Sequence, residues 1–274
     1  MRIDSIDTPR RGRAIPAAAL AIMALGIVWL TLFASSAIAA PKVEDTMAQR
    51  VQACTGCHGP QGRAASDGYY PRIAGKPSGY LYNQLISFRD GRRQYALMAN
   101  LLAPLTDDYL RQIAEHFSNL ELPYPPPQPA TDNVDALSRG ETLVLHGDAA
   151  LKVPACVQCH GAALMGVAPS IPALIGMPRD YLNAQLGGWR TGARHAASPD
   201  CMAHVAQRLA PQDITALSQW LAAQTVPPLA KPAASLSTAL PEPCGGVRDP
   251  TTSAQAASTP TATVPATTSS AGKP

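Results

Sequence analysis

Apolar positions along the chain recur with the period of a helix, and no stretch sustains an alternation of two. Between Asp107 and Leu120, the residues Leu110, Ile113, Ala114 and Phe117 fall on one face. A later stretch places Ile214, Leu217, Ser218 and Leu221 in the same way. Asp108 and Asp213, near the two starts, suit the positive end of a helix. Tyr80 to Arg89 and Tyr181 to Arg190 predict a second pair of helices, closed by Gly91 and Gly192. The pattern predicts an all-α protein.

The two ends break this pattern. An apolar run from about Ala14 to Ala34 follows Arg2, Arg10, Arg11 and Arg13 and leads into Ala37-Ile38-Ala39, the small-x-small form of an export cleavage site. The run also approaches the roughly 18 residues of a membrane span, so removal as a signal peptide and retention as an anchor both fit. Residues 1–40 are therefore set apart as an export segment, and the expected location is the periplasm, soluble or membrane-associated. Residues 227–274 form a C-terminal extension. From about Thr251 it is Thr, Ser, Ala and Pro, a composition that does not offset its ordering entropy and predicts disorder.

Between these ends the chain repeats itself. Cys54-Thr55-Gly56-Cys57-His58-Gly59 recurs as Cys156-Val157-Gln158-Cys159-His160-Gly161. Pro71-Arg72-Ile73-Ala74-Gly75 recurs as Pro172-Ala173-Leu174-Ile175-Gly176, and Gln84-Leu85 and Phe88-Arg89 recur as Gln185-Leu186 and Trp189-Arg190. Met98 and Leu105 match Met202 and Leu209 once three extra residues in the second copy are allowed for. The economical reading is two copies of one domain, at 41–121 and 134–226. The segment 122–133 joins them, and its prolines remove too many N–H donors for an interior helix or strand, which predicts a stiff extended linker.

Composition adds a motive for a cofactor: 46% of residues are hydrophobic but only 5% aromatic, thin filling for two cores. Net charge is +3, with four arginines against two aspartates in the leader, so the remainder is near neutral. No basic stripe remains to recruit nucleic acid.

Each part of Cys-x-x-Cys-His has a task in covalent haem attachment: two thiols add to the vinyl groups, and the adjacent imidazole is held under the iron. Cys54 and Cys57 with His58, and Cys156 and Cys159 with His160, predict two haem c groups. A zinc site would need its cysteine pairs about 15 to 20 residues apart, and a thioredoxin-like dithiol would need a βαβ unit; neither context is present. A thioether is a frequent sixth ligand because it raises the potential. Met47 is too close to Cys54 to reach the far side of a haem, which leaves Met98; Met202 is its repeat equivalent, while Met165 and Met177 read as core. A carbonyl in the Pro71 and Pro172 turns is placed to accept the second ring N–H of each histidine. Cys201 and Cys244 remain; in an oxidising compartment they are expected to pair, with Cys201 as a thiolate iron ligand the alternative. His195 is a further alternative ligand, whereas His116, His146 and His204 lack partner spacing. No acid, base or arginine cluster beside the haem motifs is legible.

On these motifs the chain resembles the dihaem two-domain cytochromes c of the cytochrome c4 type, over roughly Val43 to Gln224. The resemblance implies two tandem class I cytochrome c domains joined by the Pro-rich linker, with axial pairs His58–Met98 and His160–Met202. It implies haems facing each other across the domain interface. It also implies an electron carrier, not an enzyme, working between a redox-protein donor and an acceptor such as a terminal oxidase. The long extension and the extra cysteine pair depart from it. A cytochrome subunit of a membrane dehydrogenase complex and a sulfur-compound-oxidising haem enzyme are the alternatives.

Overall fold

The computed structural model describes residues 18, 21, 22, 44–64, 68–228 and 230–247. The chain divides into two units, Met1–Glu44 and Asp45–Pro274. In the first, Ala18, Ala21 and Ile22 are helical and exposed; most of the apolar run and the tail from Thr251 lie outside the described residues. No helix among the described residues is long and apolar enough to cross a membrane.

The described residues of the second unit are helical, with no strand beyond isolated bridges. In chain order the helices are α1 (Met47–Arg50), α2 (Gln52–His58), α3 (Ser78–Arg89), α4 (Ala96–Leu102) and α5 (Asp107–Ser118), then α6 (Val134–Leu145), α7 (Cys156–His160), α8 (Arg179–Thr191), α9 (Cys201–Arg208) and α10 (Pro211–Ala222). The second five repeat the first five. Each set closes a core of its own, around Leu110, Ile113 and Phe117 in one and Leu143, Leu217 and Leu221 in the other.

Local chemistry sets the helix boundaries. Thr106 accepts from the Tyr109 N–H at 3.3 Å to start α5, Asn133 accepts from Ala136 at 2.8 Å to start α6, and Asp200 accepts from Ala203 at 3.1 Å to start α9. Gly192 ends α8 in the left-handed region at φ 77°. The face Leu110, Ile113, Ala114 and Phe117 is the buried face of α5. Along α10 burial is wider, taking in Ala216, Gln219 and Ala222 as well as the periodic positions, because both α6 and α8 pack against it.

The segment between the domains is extended but tied down. Arg72 donates to the carbonyls of Leu122 and Pro123 at 2.6 and 2.9 Å, and its guanidinium lies 4.1 Å from the Tyr124 ring centre. The Gln128 N–H donates to the Ala222 carbonyl at 2.8 Å, and its side chain accepts from the Arg179 N–H. Stiffness from proline is thus reinforced by hydrogen bonds to both domains.

Candidate functional site

The Cys-x-x-Cys-His motifs lie on α2 and α7, each ending at its histidine. The chain then folds back on itself in the same way twice. The His58 carbonyl accepts from Ala64 N at 2.8 Å and the Gly62 carbonyl from Ile73 N at 2.8 Å; His160 accepts from Gly166 N at 2.9 Å and Leu164 from Leu174 N at 2.8 Å. That loop brings the Pro71 carbonyl 2.7 Å from His58 Nδ1 and the Pro172 carbonyl 2.8 Å from His160 Nδ1. Each imidazole therefore donates from Nδ1 and leaves Nε2 for a metal. Both are buried, at 8% and 7% exposure. Burial is the leading cause that lowers both pKa values below 6.5, so each ring is neutral and competent to ligate.

Each histidine lines an apolar cavity. The first, about 670 Å³, has Cys54, His58 and Met98 in its walls with Leu81, Leu102 and Ile113. The second, about 210 Å³, has Cys156, Cys159, His160 and Met202 with Leu186 and Leu217. The helices bearing the methionines are held alike: Arg89 donates to the Leu105 carbonyl at 3.1 Å, and Arg190 donates to that of Leu209. Met165 is core, whereas Met177 both packs in the core and lines the second cavity. His195 is exposed and is not among the residues lining either cavity.

Thiol chemistry separates the readings of the cysteines. Burial raises the Cys54 and Cys159 thiols and pushes Cys156 up to about 12, the reverse of the lowered pKa of a redox dithiol or a preformed metal thiolate. Cys201 and Cys244 are joined in a disulfide.

Between the cavities lies a polar cluster that corrects the expectation of no arginine group near the motifs. Arg93 and Arg194 form an antiparallel bridge, each N–H bonded back to the end of its own helix, to Ser87 and Gly188. Their guanidinium groups share two glutamines: Arg93 donates to Gln84 at 3.0 Å and Gln185 at 2.5 Å, Arg194 to Gln185 at 2.8 Å and Gln84 at 3.0 Å. Arg93 lies 4.4 Å from the ring centre of Phe88, and Arg194 lies 3.8 Å from that of Trp189. The repeat carried the signal: Arg93 and Arg194 have the same separation as Gln84 and Gln185, but two arginines far apart in sequence do not announce that they meet.

Lys76 is buried beside this cluster, its ammonium 3.4 Å from Met177 Sδ. Burial lowers the pKa of both Arg194 and Lys76, and the neighbouring Arg93 adds to it. The Tyr181 phenol is drawn down to about 8, Arg93, Arg194 and Lys76 together outweighing its burial. Among the described residues no carboxylate forms an ion pair with Lys76, Arg93 or Arg194. Buried cations bordering both cavities fit a cofactor that brings its own carboxylates, as haem does through its propionates.

No protein-family model matches the chain. It is 36% identical over 209 residues to the thiosulfate dehydrogenase electron acceptor of Thiomonas intermedia (strain K12), covering 76% of this chain and 92% of that one. It is 35% identical over 190 residues to cytochrome c4 of Thiocapsa roseopersicina, covering 67% and 94%. Reduced cytochrome c4 from Pseudomonas stutzeri superposes with a TM-score of 0.55 at 28% identity over 65% of this chain and 96% of that one. With two class I cytochrome c domains, two covalently bound haem c groups and an electron-transfer role, the chain belongs to the cytochrome c4-like family of dihaem cytochromes.

Proposed function

We propose that the first haem is attached at Cys54 and Cys57 with His58 and Met98 as axial ligands, and the second at Cys156 and Cys159 with His160 and Met202. The domains run from 41 to 121 and from 134 to 226, and Cys201–Cys244 is a structural disulfide. The observation that carries this reading is the paired one: in each cavity, one imidazole is pinned through Nδ1 to a proline carbonyl and the repeat-equivalent methionine, Met98 or Met202, stands in the same wall, while Met177, which also lines the second cavity, has no methionine counterpart in the first copy. A bound haem supplies one-electron chemistry. The chain supplies the rest: carbonyls that fix the imidazole tautomer, thioethers that favour ferrous iron, and apolar walls that exclude water. With both axial positions filled, substrate has no iron site to enter, so the protein is a carrier and not an enzyme.

The donor in this reading is a dehydrogenase that oxidises a sulfur compound, thiosulfate being the first candidate, in the periplasm after export through residues 1–40. Support comes from the similarity to a thiosulfate dehydrogenase electron acceptor. The test mixes the oxidised holoprotein with thiosulfate, with and without a purified thiosulfate dehydrogenase. Rapid reduction only with the enzyme is expected; reduction by thiosulfate alone makes the chain an enzyme, and none in either arm removes the donor. For ligation, Met98→Ala and Met202→Ala should each abolish half of the weak red methionine-to-iron band. Retention of the full band in either variant refutes that assignment.

A further inference from the structure

The C-terminal segment has no counterpart in the internal repeat, and it runs back over the second domain. The Ala168 N–H donates to the Ala233 carbonyl at 2.8 Å, and the Ala233 N–H donates to Gly166 at 2.9 Å. Farther on, Cys244 is bonded to Cys201, the residue before Met202 on α9. The Gly245 N–H donates to the Pro199 carbonyl at 2.8 Å, and a Cβ at Gly245 would stand 2.3 Å from the Ser198 carbonyl oxygen, so the backbones are pressed together there. The Gly246 carbonyl accepts from Asn83 Nδ2 at 2.8 Å, on α3 of the other domain. Leu240, Glu242, Cys244, Gly246 and Val247 thereby wall one side of the second cavity. The first cavity has no lining residue beyond Arg194.

This wall changes the charge around one haem only. The charged lining of the first cavity is Arg50, Arg72, Lys76, Arg93 and Arg194, against one exposed carboxylate, Asp180. The second is lined by Lys76, Arg92 and Arg194 but also by Asp200 and Glu242. Asp200 is committed to the N–H groups of Ala196 at 2.6 Å and Ala203 at 3.1 Å. Glu242 meets His204 Nδ1 through Oε2 at 3.2 Å, while its Oε1 is buried without a hydrogen-bond partner. Its field reaches the haem-attachment cysteine, for Glu242 is the cause after burial that raises Cys159. A carboxylate in the wall of a haem site stabilises ferric over ferrous iron, and a site without bulk water screens it weakly.

We propose that residues 240–247, fastened by the Cys201–Cys244 disulfide, are an added wall of the second haem site, and that the Glu242 carboxylate holds the second haem below the first in reduction potential. The first haem then takes the first electron and the second fills last. This rests on the two-haem reading above and adds a residue from outside the repeated domain to its tuning.

The test is spectroelectrochemical titration of the holoprotein and of Glu242→Gln, with couples assigned by Cys54→Ala/Cys57→Ala and Cys156→Ala/Cys159→Ala variants, each lacking one haem. The wild type should show two couples, the first haem higher. Glu242→Gln should shift the second alone about tenfold toward ferrous, about 59 mV for a one-electron couple, and Glu242→Lys should move it farther the same way. A second haem at or above the first in the wild type overturns the proposal, as does a Glu242→Gln variant that moves neither couple or both equally. Failure of the methionine ligation shows separately, as a missing red band, because the couples are assigned without it.

Discussion

Gly140→Ala sets two opposing effects against each other at the crossing of α6 and α10. Gly140 is buried within α6, and a Cβ there would stand 2.4 Å from the Ala216 carbonyl oxygen, 2.7 Å from its carbon and 3.0 Å from Leu217 N. All three are backbone atoms of α10, so no rotamer relieves the contact, and restoring an ordinary separation of 3.4 Å requires the helices to part by about 1 Å. Alanine regains about 0.5–1 kcal/mol of helix propensity. Overpacking costs about 1–3 kcal/mol, toward the upper end where rigid backbone is displaced. The expected net loss is about 1–2 kcal/mol, or roughly 4–8 °C in Tm per kcal/mol for a domain of this size. The loss should be confined to the second domain. Leu217 and Leu221 on α10 line the second cavity, so the methionine band of that haem should weaken while the first haem's does not. Thermal melts followed at the Soret band, alongside the red band, make the measurement. A Tm equal to or above wild type would mean that propensity wins and would refute the close-crossing argument.

Two further outcomes are expected. Gln84→Leu leaves one N–H of Arg93 and one of Arg194 without their acceptor at the domain interface, at a cost of about 1.5–3 kcal/mol for hydrogen bonds to charged groups; differential scanning calorimetry should resolve earlier separation of the domains, and an unchanged profile would show the network to be dispensable. In the haem-free protein, the folded-state pKa values of His58 and His160 lie below the ordinary 6.5, so their contribution to stability is intact above 6.5 and is lost as pH falls through the lowered values. An NMR titration of the two imidazoles in the haem-free protein should place both midpoints below 6.5; a midpoint at or above 6.5 contradicts the burial argument.

Local pattern decided much of this protein. The covalent geometry of haem addition fixes Cys-x-x-Cys-His within five consecutive residues, so two short strings were enough to predict two haems. Periodicity gave the face of α5, because a helix burying one stripe writes that stripe every three to four residues. The repeat lent each copy the information of the other: it singled out Met98 and Met202, and the structure places each in the cavity of its own histidine. The short helices α4 and α9 were less visible, since brief elements held by caps and tertiary contacts carry little periodic signal.

What meets across the domain interface could not be read in one dimension. Lys76, Arg93 and Arg194 are scattered charges in the sequence, and only the apposition of two domains buries Lys76 and Arg194, half-buries Arg93 and sets the two guanidinium groups on shared glutamines. The expected pairing of Cys201 with Cys244 tied the extension to the second domain, but that residues 240–247 wall the second cavity was hidden, because the stretch has no periodic pattern that names which surface it covers. The sequence determined, by itself, the number of haems, the helical class and the doubling of the domain, all of them consequences of short-range covalent and periodic constraints. Tertiary structure decided which charges face each haem, because burial and field depend on distances between residues that the chain keeps far apart.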